Sequence, residues 1–305
     1  MALSTRNLRW AYIGLLVAVL SWAGNATVAR GAVGTIRPFA LAFWRWFLAL
    51  SILSPLAIKQ VIDNRKKITG QWRHLLPLSL LSVSAYNTFL YLGAQHTTAI
   101  NITLISSAVP AVTLFFAWVL LGDPVTRLSL GGIGLSFSGV VYIISMGNIS
   151  VLLNLSLNRG DLLMVCGVAA WALYAVLLRK FKVDLPPVCF LWTQIAVGIP
   201  FILPFYLWEV WTAPHFVFSG GNIAILAYVA TLPSLIAYRG WNHGVHTVGP
   251  AKASMFVYLL PVFTAFLAMI FLHERLHGFH MTGGFLIVSG LLIAGRTRAP
   301  KNTQA

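Results

Sequence analysis

Charge is what this sequence has least of. Asp and Glu together number six in 305 residues, and all charged side chains make up 9% of the chain, against about 25% in an ordinary soluble domain. With 58% apolar residues and a mean hydropathy of +0.82, the composition excludes a water-soluble globular protein and is that of an integral membrane protein. Cysteine is almost absent. The two present, Cys166 and Cys189, fall inside apolar runs where a thiol behaves as a small apolar side chain, so neither a disulfide nor a zinc framework organises the fold. No phosphate-cradling glycine loop, nucleophile elbow or paired carboxylates occur, which leaves the common enzyme chemistries without a carrier. The six acidic residues all fall away from the middle of the apolar runs. Intramembrane chemistry that needs a buried carboxylate, as counter-ion or proton carrier, therefore lacks its group.

What the chain does have is ten apolar runs, at about 10–28, 38–58, 75–95, 99–121, 128–146, 161–178, 187–208, 221–242, 251–272 and 280–296. Each is close to the roughly 20 residues that cross a hydrocarbon core about 30 Å thick. The expected architecture is an all-α integral membrane protein of ten transmembrane helices. Arg6 and Arg9 ahead of the first run suggest a signal peptide, but the run exceeds the roughly 7–15 residues of a signal core, so it reads as a retained span. The net charge of +15 is a topology signal. With the N-terminus inside, the basic residues collect on the cytoplasmic loops, Lys59 to Arg73 foremost, and only Arg30, Arg37, Arg159 and Arg275 lie outside. That places both termini in the cytoplasm and dismisses a nucleic-acid surface.

The chain also repeats itself. A shift of 151 residues carries Gly93 onto Gly244, Pro110 onto Pro261, Asp123 onto Glu274 and Gly132 onto Gly283; a shift of 149 carries Trp22 onto Trp171, Arg30 onto Arg179 and Pro38 onto Pro187. The expected division is a first five-helix repeat over 1–146, a connection over 147–160, and a second repeat with a short cytoplasmic tail over 161–305. Five spans per repeat is an odd number, so the second enters the membrane upside down, as in inverted-repeat transporters.

Candidate site residues follow from polar groups on apolar helices. Ser84, Asn87, Thr88 and Tyr91 share one face of the third span, and Ser234, Tyr238, Trp241 and Asn242 do so on the eighth. Ser21 and Asn25 add to this from the first span, Ser107 from the fourth, and Gln194 stands where the second half's counterpart of Arg45 belongs. Single hydroxyls of this kind commonly serve helix packing; stripes on several spans favour a lined pathway, because a polar face toward lipid is costly. Arg45 is the firm intramembrane ion and the leading functional candidate. Trp22, Trp171, Tyr174, Tyr91, Tyr238, Trp241 and Tyr258 offer apolar surfaces with polar edges for an amphipathic guest. Pro110 and Pro261 are expected to act as mid-span hinges, and the glycines of the fifth and tenth spans to serve close helix packing. Histidine is the remaining proton carrier, with His96 and His243 as candidates for a polar relay. His273, His277 and His280 face away from His243 and His246 across the membrane, which makes a metal site a weak reading.

The ordered marks are Ser21-Trp22-Ala23 and Ala170-Trp171-Ala172, Pro38 followed by Arg45, Ser106-Ser107-Ala108-Val109-Pro110 and Tyr258-Leu259-Leu260-Pro261, then an acidic residue and a glycine-rich span closing each half. Together they resemble the EamA-type branch of the drug/metabolite transporter superfamily over about residues 10–296. Asp123 departs from the Glu usual there; it and Glu274 read as helix-end contacts. The resemblance implies a central cavity lined by both halves, alternating access, and export of small metabolites across the bacterial inner membrane. Combined with Arg45 and the lack of a buried acid, it points to amino acids, aromatic ones included, carried by a facilitator or exchanger. The expected partners are that small-molecule substrate and the lipid bilayer, with no nucleic acid and no cofactor; a monomer suffices. Two other readings stand beside it: a carrier of sugar phosphates or nucleotide sugars using Arg45, Arg239 and Lys252, and a membrane enzyme using the histidines.

Overall fold

The computed structural model describes residues 5–122, 126–153, 158–212, 217, 219–248 and 256–295. Among these the chain is helical and contains no strand. The first half supplies α1 (Thr5–Gly31), α2 (Pro38–Asp63), α3 (Trp72–Ala94), α4 (Ala99–Leu121) and α5 (Arg127–Ile144). The second supplies α6 (Arg159–Phe181), α7 (Pro187–Thr212), α8 (Gly220–Trp241, helical on to Val248), α9 (Leu260–Phe271) and α10 (Gly278–Gly295). The first eight are long and apolar enough to cross a membrane; α9 and α10 are apolar but shorter in the stretches that qualify. Two short helices, Arg65–Gly70 and Ile149–Leu153, lie in connections, so the basic loop expected after residue 58 is largely helical: α2 itself runs five residues further.

Helix starts are written in side chains. Thr98, Thr126, Asn158 and Ser219 each accept a hydrogen bond from a backbone N–H of the helix that follows, filling donors that have no intrahelical partner. Pro38 and Pro187 open α2 and α7, where a missing N–H costs nothing. Two of these starts, those of α2 and α4, are also capped across the bundle. Glu209 of α7 accepts from Phe39 and Ala40 at the head of α2, and Glu274 accepts from Ala99 and Ile100 at the head of α4. The helix-end role expected of Glu274 is thus realised between the two halves; Asp123 lies outside the described residues.

The halves interlock. α1 packs against α8 and α9, and its repeat partner α6 packs against α3 and α4; α2 lies on α7 and α5 on α10. Close contacts use glycine where backbones meet. A Cβ on Gly139 of α5 would stand 2.7 Å from the Gly283 carbonyl of α10, and one on Gly240 would stand 2.6 Å from the Gly14 carbonyl. Such approach is how helices gain dispersion energy where lipid gives no hydrophobic drive. Of the glycines expected to pack, Gly132 and Gly283 do so in the α5–α10 contact, while a side chain on Gly131 or Gly134 would meet open space. The circumference carries exposed apolar side chains such as Leu56, Phe266 and Phe285, suited to acyl chains.

Pro110, midway along α4, and Pro261 each stand in the first turn of a helical segment that follows an interruption. The break lies ahead of each: a turn at Ser107 and Ala108 interrupts α4, and a 3-10 segment, Phe256–Leu259, leads into α9. The cause is local. A proline cannot donate to the carbonyl four residues back, so the preceding turn tightens and donates to nearer carbonyls, as Ala108 N–H does to Ile105.

Candidate functional site

Between the halves lies a polar cluster centred on Arg45 of α2. Arg45 is 3% exposed, and its Nε donates to Ser234 Oγ at 2.8 Å. One terminal nitrogen donates to Asn87 Oδ1 at 2.7 Å, Tyr91 OH at 2.8 Å and Asn25 Oδ1 at 3.2 Å, while Tyr91 OH donates to Asn25 at 3.1 Å. The plane lies over the Trp46 ring, 4.8 Å from its centroid. Arg45 is seven residues into α2, about 11 Å along its axis from Pro38. Every hydrogen-bond partner is neutral. The one ion pair among the described residues, Lys67 with Asp184, is on the surface. A cation taken out of water and given only neutral acceptors keeps its attraction for an anion undiminished.

Two wide turns position this cluster. α3 is π-helical at Leu80–Ala85 and α8 at Leu232–Ile236, the same place in the two repeats. In α8 the reason is Pro233: it offers no N–H to Val229, and Ser234 Oγ donates to that carbonyl instead, at 2.7 Å. The hydroxyl so fixed is the one that receives Arg45 Nε. The Pro233 carbonyl takes the indole N–H of Trp22 at 3.1 Å, and in α3 the Ser82 carbonyl takes the Asn87 amide at 3.0 Å. Both π segments therefore hand backbone acceptors to residues of the cluster or its aromatic wall. Sequence reasoning did not reach these segments or Pro233; the only trace was a proline inside an otherwise continuous apolar run.

Aromatic walls flank the cluster as repeat counterparts. Trp22 meets Tyr238 edge-on at 6.2 Å and Trp241 at 5.3 Å. Trp171 meets Tyr86 at 5.0 Å and Tyr174 at 5.2 Å. On the second half's side, Gln194 approaches Ser82 Oγ and Tyr174 OH at 3.5 Å each.

The sequence-derived candidates divide accordingly. Asn25, Arg45, Asn87 and Tyr91 join in one network, and Trp22, Trp171, Tyr174, Gln194, Tyr238 and Trp241 frame it. Ser84 is buried but donates to the Gly198 carbonyl of α7, and Ser107 donates to Thr103 of its own helix, so both hydroxyls serve packing. His96 and His243 are exposed, and neither side chain makes a contact within the network; Arg239 is exposed as well. The side chains of Asn242, His246 and Tyr258, and the whole of Lys252, lie outside the described residues. No group of three metal-ligating side chains occurs among the described residues.

A polytopic helical protein with interlocked halves and a buried polar centre is the form of a membrane transporter, and the comparisons with known proteins agree. The family model of the EamA-like transporter family matches residues 9–145 and again 158–296. The chain belongs to that family, within the drug/metabolite transporter superfamily. It is 31% identical over 283 residues to an uncharacterized transporter of Archaeoglobus fulgidus, covering 92% of this chain and 95% of the relative. It is 27% identical over 294 residues to the uncharacterized transporter YyaM of Bacillus subtilis, covering 95% of each. A probable terminal-alkyne amino-acid exporter of Streptantibioticus cattleyicolor is 24% identical over 224 residues, 73% of each chain. A solved crystal structure shares the fold with a TM-score of 0.61 at 17% identity, covering 93% of this chain and 96% of the other.

Proposed function

We propose that this transporter carries amino acids, aromatic ones included, and similar small amphipathic metabolites outward across the bacterial inner membrane, by exchange or facilitated diffusion. Its two five-helix repeats are inverted about the membrane plane, both termini are cytoplasmic, and access to the polar centre alternates between the two faces. The observation that carries the reading is the Arg45 guanidinium, buried among neutral acceptors between halves. It supports a substrate carboxylate as the missing anion, since a carboxylate accepts two parallel hydrogen bonds from an arginine. Trp22 and Tyr238 on one side, Trp171 and Tyr174 on the other, support a guest with a flat or apolar side chain. The name of the Streptantibioticus cattleyicolor relative, an amino-acid exporter, agrees with a carboxylate-bearing cargo.

The test is counterflow in proteoliposomes, each loaded with one amino acid or its methyl ester, at equal pH on both sides. Exchange of free acids with large side chains, and none of the esters, is the expected result. Equal transport of acid and ester would remove Arg45 from recognition, and silence across the acids with activity on phosphorylated sugars would replace the substrate class.

A further inference from the structure

A second buried polar group lies apart from Arg45, where the head of α4, the head of α6 and the head of α10 meet. Asp161, 1% exposed, accepts from the Thr97 hydroxyl and from the Asn101 amide, whose nitrogen stands 3.2 Å from both carboxylate oxygens. Asn101 Oδ1 lies 3.0 Å from Nε2 of His280, itself 4% exposed. The His277 backbone N–H donates to His280 Nδ1 at 3.0 Å. A backbone N–H can only donate, so Nδ1 is the bare nitrogen and Nε2 carries the hydrogen given to Asn101. The ring is therefore neutral in this arrangement, and the carboxylate is the charge toward which the chain of donors runs. Thr97 and Asn101 both direct hydrogens at the carboxylate, and His280 directs one at Asn101.

The other charged and titratable groups nearby are committed or solvated. Arg30 of α1 donates to the Ala94 and Gln95 carbonyls, and Glu274 is held by the N–H groups of Ala99 and Ile100. His96, Arg159, Arg275 and His277 are exposed, and Asp161 has no ion pair among the described residues. Nor does repeat symmetry require the arrangement. At shifts of 149 and 151 residues the sequence has Tyr12 for Asp161, Lys252 for Asn101 and Ser129 for His280. Among the described residues, one end of the molecule alone has a buried carboxylate and an imidazole joined by an amide.

We propose that Thr97, Asn101, Asp161 and His280 form a proton-binding latch that ties α4, α6 and α10 together when Asp161 is ionised and releases them when it takes a proton. Protonation turns charge-assisted hydrogen bonds into neutral ones about half as strong. It also puts a hydrogen on one of the two carboxylate oxygens that accept from Thr97 and Asn101, so the ties that hold α4 to α6 loosen. Asp161 stands at the third residue of α6, within the first turn, so it exchanges protons with the solution at that end. On the topology proposed above this is the outer face, and the latch gates access without contributing a proton to each transport cycle.

The test needs no substrate, so it stands or falls separately from the amino-acid reading. Ser107→Cys, in a chain carrying Cys166→Ala and Cys189→Ala, puts a thiol of nearly the same size deeper in α4, where Ser107 is 2% exposed. Its labelling by a membrane-impermeant maleimide is compared with and without Asp161→Asn, at mildly alkaline and mildly acidic pH. The ratio of the two rates cancels the reagent's own pH dependence. Expected is much faster labelling of the D161N protein at alkaline pH, with the two converging in acid. His280→Gln, which removes the imidazole acceptor for the His277 amide, is expected to label fast at both. Equal rates for wild type and D161N at alkaline pH, with both melting cooperatively, overturn the latch. Should D161N not fold, the same dependence is read in the Asp161 protein alone, against a surface thiol at Met146→Cys; a constant ratio overturns the proposal. Labelling from the opposite face in inverted vesicles, with the same dependence on Asp161, retains the latch and reverses the topology.

Discussion

Arg45 and Gln194 occupy equivalent positions in the two repeats, and they differ in everything but place. Arg45 engages three other helices through bonds of 2.7–3.2 Å, while Gln194 reaches its two neighbours at 3.5 Å. The scaffold around both is alike: a π turn in the third helix of each half, a tryptophan on the first, a capped or proline-started second. Duplication therefore supplies a symmetric frame, and function enters where one copy departs from the other. A two-fold site with a guanidinium from each half would place like charges together in a low-dielectric interior, which repel. With glutamine at the equivalent position the second half adds no charge, which on the reading proposed above leaves a single charge for a single substrate carboxylate.

The strongest way to break that difference is Arg45→Gln, which makes the two halves alike. Removing a buried, hydrogen-bonded charge partner costs about 2–5 kcal/mol, or about 30-fold and more in affinity. Counterflow of free amino acids is expected to fall to background, with the protein still extracted as a folded species. Ser234→Ala comes next, because it removes the acceptor of Arg45 Nε and the hydroxyl that donates to the Val229 carbonyl beside Pro233. A cost of about 1–3 kcal/mol is expected for leaving the buried Nε–H without its acceptor, read as a lower melting temperature together with weaker transport. Glu274→Ala tests a tie between halves away from the charge. It strips the acceptors from the Ala99 and Ile100 N–H groups, leaving α4 only its Thr98 cap, and is expected to lower stability by about 1 kcal/mol, with Glu274→Gln, which keeps an acceptor, lowering it less. The smallest effect belongs to the other member of the pair: Gln194→Ala removes only long contacts and is expected to change exchange by less than about threefold, under 1 kcal/mol. A Gln194→Ala loss as large as that of Arg45→Gln would mean that the two halves share the site equally.

Several residues of this site were legible before any coordinates, for a definite reason. Polar side chains on apolar helices are costly unless they face one another, so Asn25, Arg45, Asn87 and Tyr91 declared themselves by type and helical spacing. Ser84 and Ser107 met the same rule and went elsewhere, because a hydroxyl can return its hydrogen to a backbone carbonyl within reach and an arginine cannot satisfy its five donors that way. Asp161, Asn101 and His280 were not grouped, since 60 and 179 residues separate the contacting pairs and no spacing rule spans such distances. Pro110 and Pro261 were legible as disturbances of their spans, and the missing N–H puts each disturbance in the turn before the proline.

Composition and periodicity by themselves settled that the chain lives in a membrane as apolar helices and that it is written twice, because burying backbone polar groups in lipid leaves few other forms and a repeated sequence repeats its fold. Which helix of one half lies against which of the other was decided only in three dimensions. Close approach of glycine backbones, caps donated from a distant carboxylate and the widened turns at residues 80–85 and 232–236 depend on surfaces that meet after the chain has folded. That is also why the unpaired charge of Arg45 acquires a meaning: its neighbours come from both halves, and none of them is an acid.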